Sequence, residues 1–297
     1  MLLISQQQLV TILAVDLERA VHDSQITIRQ GMSLDPSSQG AAYTLMRNLN
    51  FEIWLKSGET RVLLVDGNSP SASTSRTSPM SLICATLVQS LVDVRAATCV
   101  QFFCGLHTSW NDPLSGPTGL IRSLISQLLP IQTFDLSFVD SRSYLDQIHA
   151  RELGHLCDLF QRLLHQIPIY TVVFCIIDGV SLYERSEWVE DTCFVVQRLR
   201  EITESPALNA TFKLLLTSPG RCRYIKNYIE RRDQLVLPQD AGGNMPILTR
   251  RRMAMQLRRP LVLQRSTPNL NNQLPFQGQG SDSDTEDDDF DKGNLSD

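Results

Sequence analysis

The chain has 297 residues, a formal net charge of −5, 42% hydrophobic side chains and seven cysteines. That length exceeds a disulfide-stapled mini-protein and suits one α/β domain with trimmings or two small domains, and the apolar share excludes a wholly disordered polymer. No apolar run approaches the about 20 residues a membrane helix needs, and the opening Met1-Leu2-Leu3-Ile4 passes into Gln6-Gln7-Gln8 with no basic residue ahead of it, unlike a secretory signal.

In chain order, residues 9–21 and 41–55 read as two helices that lead into the fold. Five short apolar runs then follow, at 61–65, 99–104, 171–177, 212–217 and 234–237. Each is nearly continuous in apolar character, as strands covered on both faces are. Between them lie helical patterns. The one at 79–92 has Ser78 as N-cap and proline at its first position. Leu120, Ile121, Leu124, Ile125, Leu128 and Leu129 recur at three- and four-residue spacing, as do Leu153, Leu156, Phe160, Leu163 and Leu164, then Trp188, Val195, Val196 and Leu199. This alternation predicts an α/β fold: a five-stranded parallel sheet with helices on both faces. The cysteines sit mostly inside the apolar runs and read as reduced core thiols, which points to a cytosolic-type compartment.

Charge is segregated. Residues 281–297 carry eight acids against Lys292, residues 246–280 carry six arginines and no acid, and residues 1–245 are left at −4. The expected organisation is a helical segment at 1–58, the α/β domain at 59–240, and a disordered tail at 241–297, basic and then acidic, broken only by a short apolar patch over 253–263. The arginines at 250–252 and 258–259 fit nuclear import, an anionic surface, or neutralisation of the acidic run. Ser281, Ser283 and Thr285 stand just before acids, as substrates of acid-directed kinases do.

In an open α/β sheet a ligand binds beyond the carboxyl ends of the strands. The first strand ends in Val65-Asp66-Gly67 and the loop to the next helix is rich in serine. Threading a phosphate-binding loop forward from Gly67 places Ala72, Ser73 and Thr74 at its last three positions; threading it back from the helix places Met80 at the lysine and Ser81 at the Mg²⁺-binding hydroxyl. Neither threading supplies the lysine or a second glycine, with Arg76 as the nearest substitute cation, and the same residues also fit a plain polar connection. The third strand runs into Asp178-Gly179, where a carboxylate at the tip of a buried strand beside the first would hold Mg²⁺. The alternative for Asp178 is a strand-ending turn. Glu184, six residues on, is a candidate for orienting water, or else a solvated loop carboxylate or a helix-start acid.

These residues resemble the nephrocystin-3-like and NACHT-like proteins of fungi, within the signal-transduction ATPases with numerous domains. Leu63-Leu64-Val65-Asp66-Gly67 resembles their strand into the phosphate loop. Phe102-Phe103-Cys104-Gly105 with the helix from Gly119 resembles their second strand and helix, Ile176-Ile177-Asp178-Gly179 their Walker B strand, and Lys213-Leu214-Leu215-Leu216-Thr217-Ser218 their sensor strand. The likeness covers about residues 50–240 and implies the P-loop NTPase type of sheet. The departures are the missing Gly-Lys-Ser/Thr, Gly179-Val180-Ser181-Leu182 in place of the acidic pair, and Pro219 at the sensor arginine, with Arg221 and Arg223 close behind. The winged-helix and repeat regions that the resemblance implies do not follow the fifth strand.

The expected function is a non-catalytic interaction or scaffold module with no cofactor, working through a protein partner in the cytoplasm, with the nucleus open to it through residues 250–259. Nucleic acid is not an expected partner, and the oligomeric state is left open. The alternative is a residual switch binding Mg-ATP or Mg-GTP through Gly67, Thr74 or Ser81, and Asp178; a third is a fragment of a longer receptor. Other constellations read as packing: Cys104 with His107 lacks a second pair of zinc ligands. His149, His155 and His165 lack a nucleophile elbow. Trp54, Trp110 and Trp188 read as anchors at element ends.

Overall fold

A computed structural model describes residues 4–68, 77–94, 96–139, 141–239, 241, 243 and 245–258. Its strands are β1 (Arg61–Asp66), β2 (Ala97–Phe103), β3 (Val172–Asp178), β4 (Thr211–Ser218) and β5 (Gln234–Val236). All pair in parallel, in the order β2-β3-β4-β1-β5, so the expected five-stranded parallel α/β sheet is the one observed. The order carries one correction: β3 is not beside β1. β4 lies between them, with Leu63 opposite Leu215 and Leu215 opposite Ile176.

Side chains along the strands alternate between two cores, one on each face of the sheet, as the period of a strand requires. Val62, Leu64, Val173, Cys175, Leu214 and Leu216 join one core, with α6 (Gly116–Leu128), α8 (Leu153–His165) and α9 (Val189–Thr203). Leu63, Val65, Phe174, Ile176 and Leu215 join the other, with α5 (Pro79–Leu91). By that parity Asp178 and Thr217 face α5, while Asp66 faces away from it.

The lead-in is four helices where two are expected: α1 (Gln6–Leu13), α2 (Arg19–Met32), α3 (Pro36–Met46) and α4 (Leu49–Lys56). The first break falls at Ala14, which ends α1 in the left-handed region at φ 49°. The second falls at Asn48, whose side chain caps α4 by accepting from the Asn50 N–H. The buried Arg122 of α6 donates to the Leu13 and Ala14 carbonyls and so satisfies the open end of α1. On the other face α2 and α3 pack against α5, and the Trp54 indole donates to the Leu214 carbonyl at 3.1 Å. A short helix α7 (Arg142–His149), which the spacing does not reveal, precedes α8.

Part of the segment expected to be disordered is helical. Here α10 (Arg250–Arg258) packs on α5, with Met253 fully buried and Arg250 Nη2 2.7 Å from Asp93 Oδ2. Met253 and Leu257 of the apolar patch, with the preceding Leu248, anchor it to the α5 core. The acidic stretch, with Ser281, Ser283 and Thr285, lies outside the described residues. Among the described residues no helix is long and apolar enough to cross a membrane, and all seven cysteines are free thiols.

Candidate functional site

The carboxyl ends of β1, β3 and β4 meet the start of α5, so the fold brings Gly67, Ser81 and Asp178 to one end of the sheet. Thr74 and Arg76 lie outside the described residues. Gly67 is required by crowding: a Cβ there would stand 2.8 Å from the Pro219 carbonyl oxygen and 3.0 Å from that of Ser218. Its N–H donates to the Ser218 carbonyl at 2.8 Å. Asn68, at φ 52°, donates its N–H to the Gly220 carbonyl and accepts from Arg221 Nε on Oδ1 at 2.9 Å. The polar groups at the exit of β1 are thus bound to the loop after β4.

The start of α5 is closed by its own side chains. Ser78 Oγ accepts from the N–H groups of Met80 and Ser81 at 3.1 and 3.2 Å, and the Ser78 N–H donates to Ser81 Oγ at 3.0 Å. Pro79 has no N–H, and the Leu82 N–H already donates to the Ser78 carbonyl. The donors that a helix start would turn toward a phosphate are therefore consumed in a capping box. Ser81, the candidate Mg²⁺ hydroxyl, is a member of that box.

Asp178 is buried at 2% exposure, and Thr217 Oγ1 donates to its Oδ1 at 2.6 Å. Burial raises the carboxyl to a pKa of about 6, against the hydrogen bonding of Ser81 and Thr217, which favours the charged form. The turn after it needs glycine, because Gly179 sits at φ 76°. Beside it, Ser218 Oγ donates to Ser181 Oγ at 2.6 Å. Thr217 and Ser218 lie on the strand likened to the sensor strand and Ser181 stands in place of the acidic pair, but only the strand order, with β4 between Gly67 and Asp178, makes them partners here.

On the other face of β4 a second set of polar groups is bound to backbone. Asp66 Oδ1 accepts from the Cys222 N–H at 3.1 Å, and burial raises its pKa. Glu184 does not stand free to orient water. Its carboxylate accepts from the N–H groups of Arg223, Tyr224 and Ile225 at 2.7–2.8 Å and caps the turn that follows. Where Gly67, Pro79, Met80 and Pro219 meet, the cavity holds about 80 Å³.

A further cluster lies at the exit of β2. His107 is fully buried, with Nε2 2.9 Å from Asp23 Oδ2 and Nδ1 2.8 Å from Asp112 Oδ2. Arg19 faces both carboxylates, and Tyr183 Oη donates to the His107 carbonyl at 3.0 Å. Cys104 is a buried thiol whose pKa burial drives far up. Among the described residues no group of three or more His, Cys, Asp or Glu side chains is arranged to hold a metal ion. His155 pairs with Glu152 and His165 with Ser205, both as helix-surface contacts.

A family model described as nephrocystin 3, N-terminal, matches residues 40–219, which is more than half of the chain. The chain belongs to the nephrocystin 3 N-terminal family. No curated protein and no solved structure matches it. The family match runs from within α3 to Pro219, so it takes in Gly67, the α5 cap, Asp178 and Thr217. β5 and α10 lie beyond it.

Proposed function

We propose that this member of the nephrocystin 3 N-terminal family is a non-catalytic interaction module on a P-loop NTPase-like sheet. One observation carries the reading: the first donors of α5 are spent on Ser78 and Ser81. A phosphate at this place would have to displace that box, with no lysine at hand to offset the cost. Two features support it. The Asp178 carboxyl is held by Thr217, and the cavity of about 80 Å³ is far below the roughly 300–1,000 Å³ of small-molecule sites. These residues do not fit a bound Mg²⁺-triphosphate, so no hydrolytic step is assigned to them. A protein partner is the remaining use of the fold, and seven free thiols suit a reducing compartment such as the cytoplasm.

The second reading, a nucleotide-binding switch, has one observation in its favour. Asp178 is a carboxylate buried with hydroxyl partners and, among the described residues, no cation, which is costly unless a ligand compensates it. Calorimetric titration of the full chain with Mg-ATP and with Mg-GTP separates the two. The expected result is no heat of binding and no melting shift at millimolar nucleotide, where a ligand at 100 times its Kd would add about 2.7 kcal/mol. Binding that is lost in Asp178→Asn overturns the module reading.

A further inference from the structure

The sheet is incomplete at the amino end of β1. On one side all six residues of β1 pair with β4, but on the other β5 pairs only with Leu64, Val65 and Asp66. The direction of the free groups follows from two hydrogen bonds. The Gly67 N–H donates toward β4, to Ser218, and the Asp66 carbonyl accepts from the side of β5, from Leu237. Alternation along the strand then turns the N–H and C=O of Val62 toward the β5 side, below the point where β5 begins. Among the described residues neither group has a hydrogen-bond partner, although Val62 is 9% exposed.

A cavity of about 310 Å³ opens at that place, between the start of β1, the end of α9 and the turn that leads into β5. Four carboxylates, Glu59, Glu204, Glu230 and Asp233, outnumber three arginines around it. Most of these charges are already matched: Arg61 meets Glu59 at 2.6 Å, Arg200 meets Glu204 at 2.6 Å, and Arg232 meets Glu230 at 3.0 Å. Two groups are left over. Arg61 Nε is buried without a partner, and the only cation within 4 Å of Asp233 among the described residues is Arg232, at 3.8 Å.

We propose that this slot binds an extended peptide segment of a partner protein, which adds to the edge of β1 beneath β5 and carries a basic side chain opposite Asp233. A peptide backbone offers the donor and the acceptor that Val62 lacks, and its carbonyls also suit Arg61 Nε. The surplus carboxylate selects the basic side chain. An open edge is a standing template for such pairing. The proposal deepens the interaction-module reading, on which the use of the slot by a partner rests. The slot and the nucleotide test lie at opposite ends of β1, so either can fail alone.

The test is a titration of the full chain with two capped pentapeptides, Val-Thr-Lys-Thr-Val and its twin with glutamate at the centre, followed by calorimetry and by amide chemical shifts. The expected result is binding of the lysine peptide in the high-micromolar to millimolar range, with shifts centred on the Val62 and Asp233 amides. The glutamate peptide should bind about tenfold more weakly, the effect of one charge-assisted contact. Thr203→Trp fills the cavity from α9 and should abolish binding while the rest of the amide spectrum stays folded. Asp233→Asn should remove the preference for lysine. No shift at Val62 with several millimolar of either peptide overturns the proposal, as does unchanged binding in Thr203→Trp. Equal binding of the two peptides overturns its charge selectivity.

Discussion

Two acid clusters sit at the same end of this sheet, and burial, which works to raise the carboxyl in both, prevails in only one of them. Asp178 has hydroxyl partners, Thr217 and Ser81, and burial prevails: its pKa rises to about 6. Burial also works to raise Asp112, but hydrogen bonds from the Leu114 N–H and from His107, with the charge of Arg19 behind them, outweigh it and its pKa falls. The fate of a buried carboxylate depends on whether its hydrogen bonds and neighbouring charges together outweigh desolvation. One cluster therefore locks structure, while the other stores unfavourable free energy that only a proton, or a cation, relieves.

The largest effect expected is on the locking cluster. His107 joins α2, through Asp23, to the segment after β2, through Asp112. His107→Ala takes the shared partner from the buried Asp23 and the half-buried Asp112 and leaves them Arg19 alone, and removal of one partner from a buried ionic group costs up to about 3–5 kcal/mol. Chemical denaturation of the variant should show that loss with an unchanged denaturant slope. A loss below about 1 kcal/mol would mean that the carboxylates relax to solvent and that the cluster locks nothing.

Asp178→Asn should act with the opposite sign. The folded pKa lies above the usual 3.8, so the native state holds its proton longer than the unfolded chain. Stability from this group is then full below about pH 4, is lost as pH rises toward 6, and stays lost above it. The window corresponds to about 2–3 kcal/mol at neutral pH. Asparagine carries no such penalty, and its carbonyl keeps the acceptor for Thr217. The variant should therefore melt higher than the parent at pH 7.5 and equal to it near pH 4. A variant less stable at both values would show that the carboxylate is not strained.

How far these clusters were legible from the sequence follows from what each depends on. The strands and α5 are local: continuous apolar runs, and Ser78-Pro79 at a helix start, announce themselves. Asp178 could be placed at a strand tip for the same reason. Its partner could not, because Thr217 reaches it only through a strand order in which β4 enters between β1 and β3. Glu184 reads as a loop acid until the turn at Ile225, 41 residues later, is folded against it. His107 suggested a ligand pair with Cys104, yet its partners Asp23 and Asp112 come from a helix 84 residues away and from the following loop. Lys213 lies inside an apolar run, and only the chain before β1 explains it: its ammonium donates to the Ser57 carbonyl and hydroxyl, both at 2.7 Å. Local periodicity gives elements; charges are satisfied by topology.

Asp112→Asn sharpens the contrast by carrying the reverse pH dependence. A lowered carboxyl pKa contributes stability that is present above its unfolded value and lost as pH falls through the folded one. Asparagine can still accept from the Leu114 N–H but cannot offer charge to His107 and Arg19. The variant should be less stable than the parent at pH 7, by less than His107→Ala, and the gap should close as the solution is acidified below the carboxylate range. Paired melts of this variant and Asp178→Asn across pH 3–8 should converge on the parent at low pH and part to opposite sides of it at neutral pH if both signs hold.

The smallest effect expected, at the start of α5, bears most directly on function. Ser78→Ala removes the hydroxyl that accepts from the Met80 and Ser81 N–H groups, and loss of such a cap costs about 1 kcal/mol. It also uncovers those two donors at the positive end of a 13-residue helix, beside Gly67. If the cap is what keeps anions from this place, inorganic phosphate should restore part of the lost stability in the variant and leave the parent unchanged, at matched ionic strength. Equal stabilisation of both proteins would mean that the donors were never closed off, and the proposal that nucleotide does not bind here would then rest on the missing lysine alone.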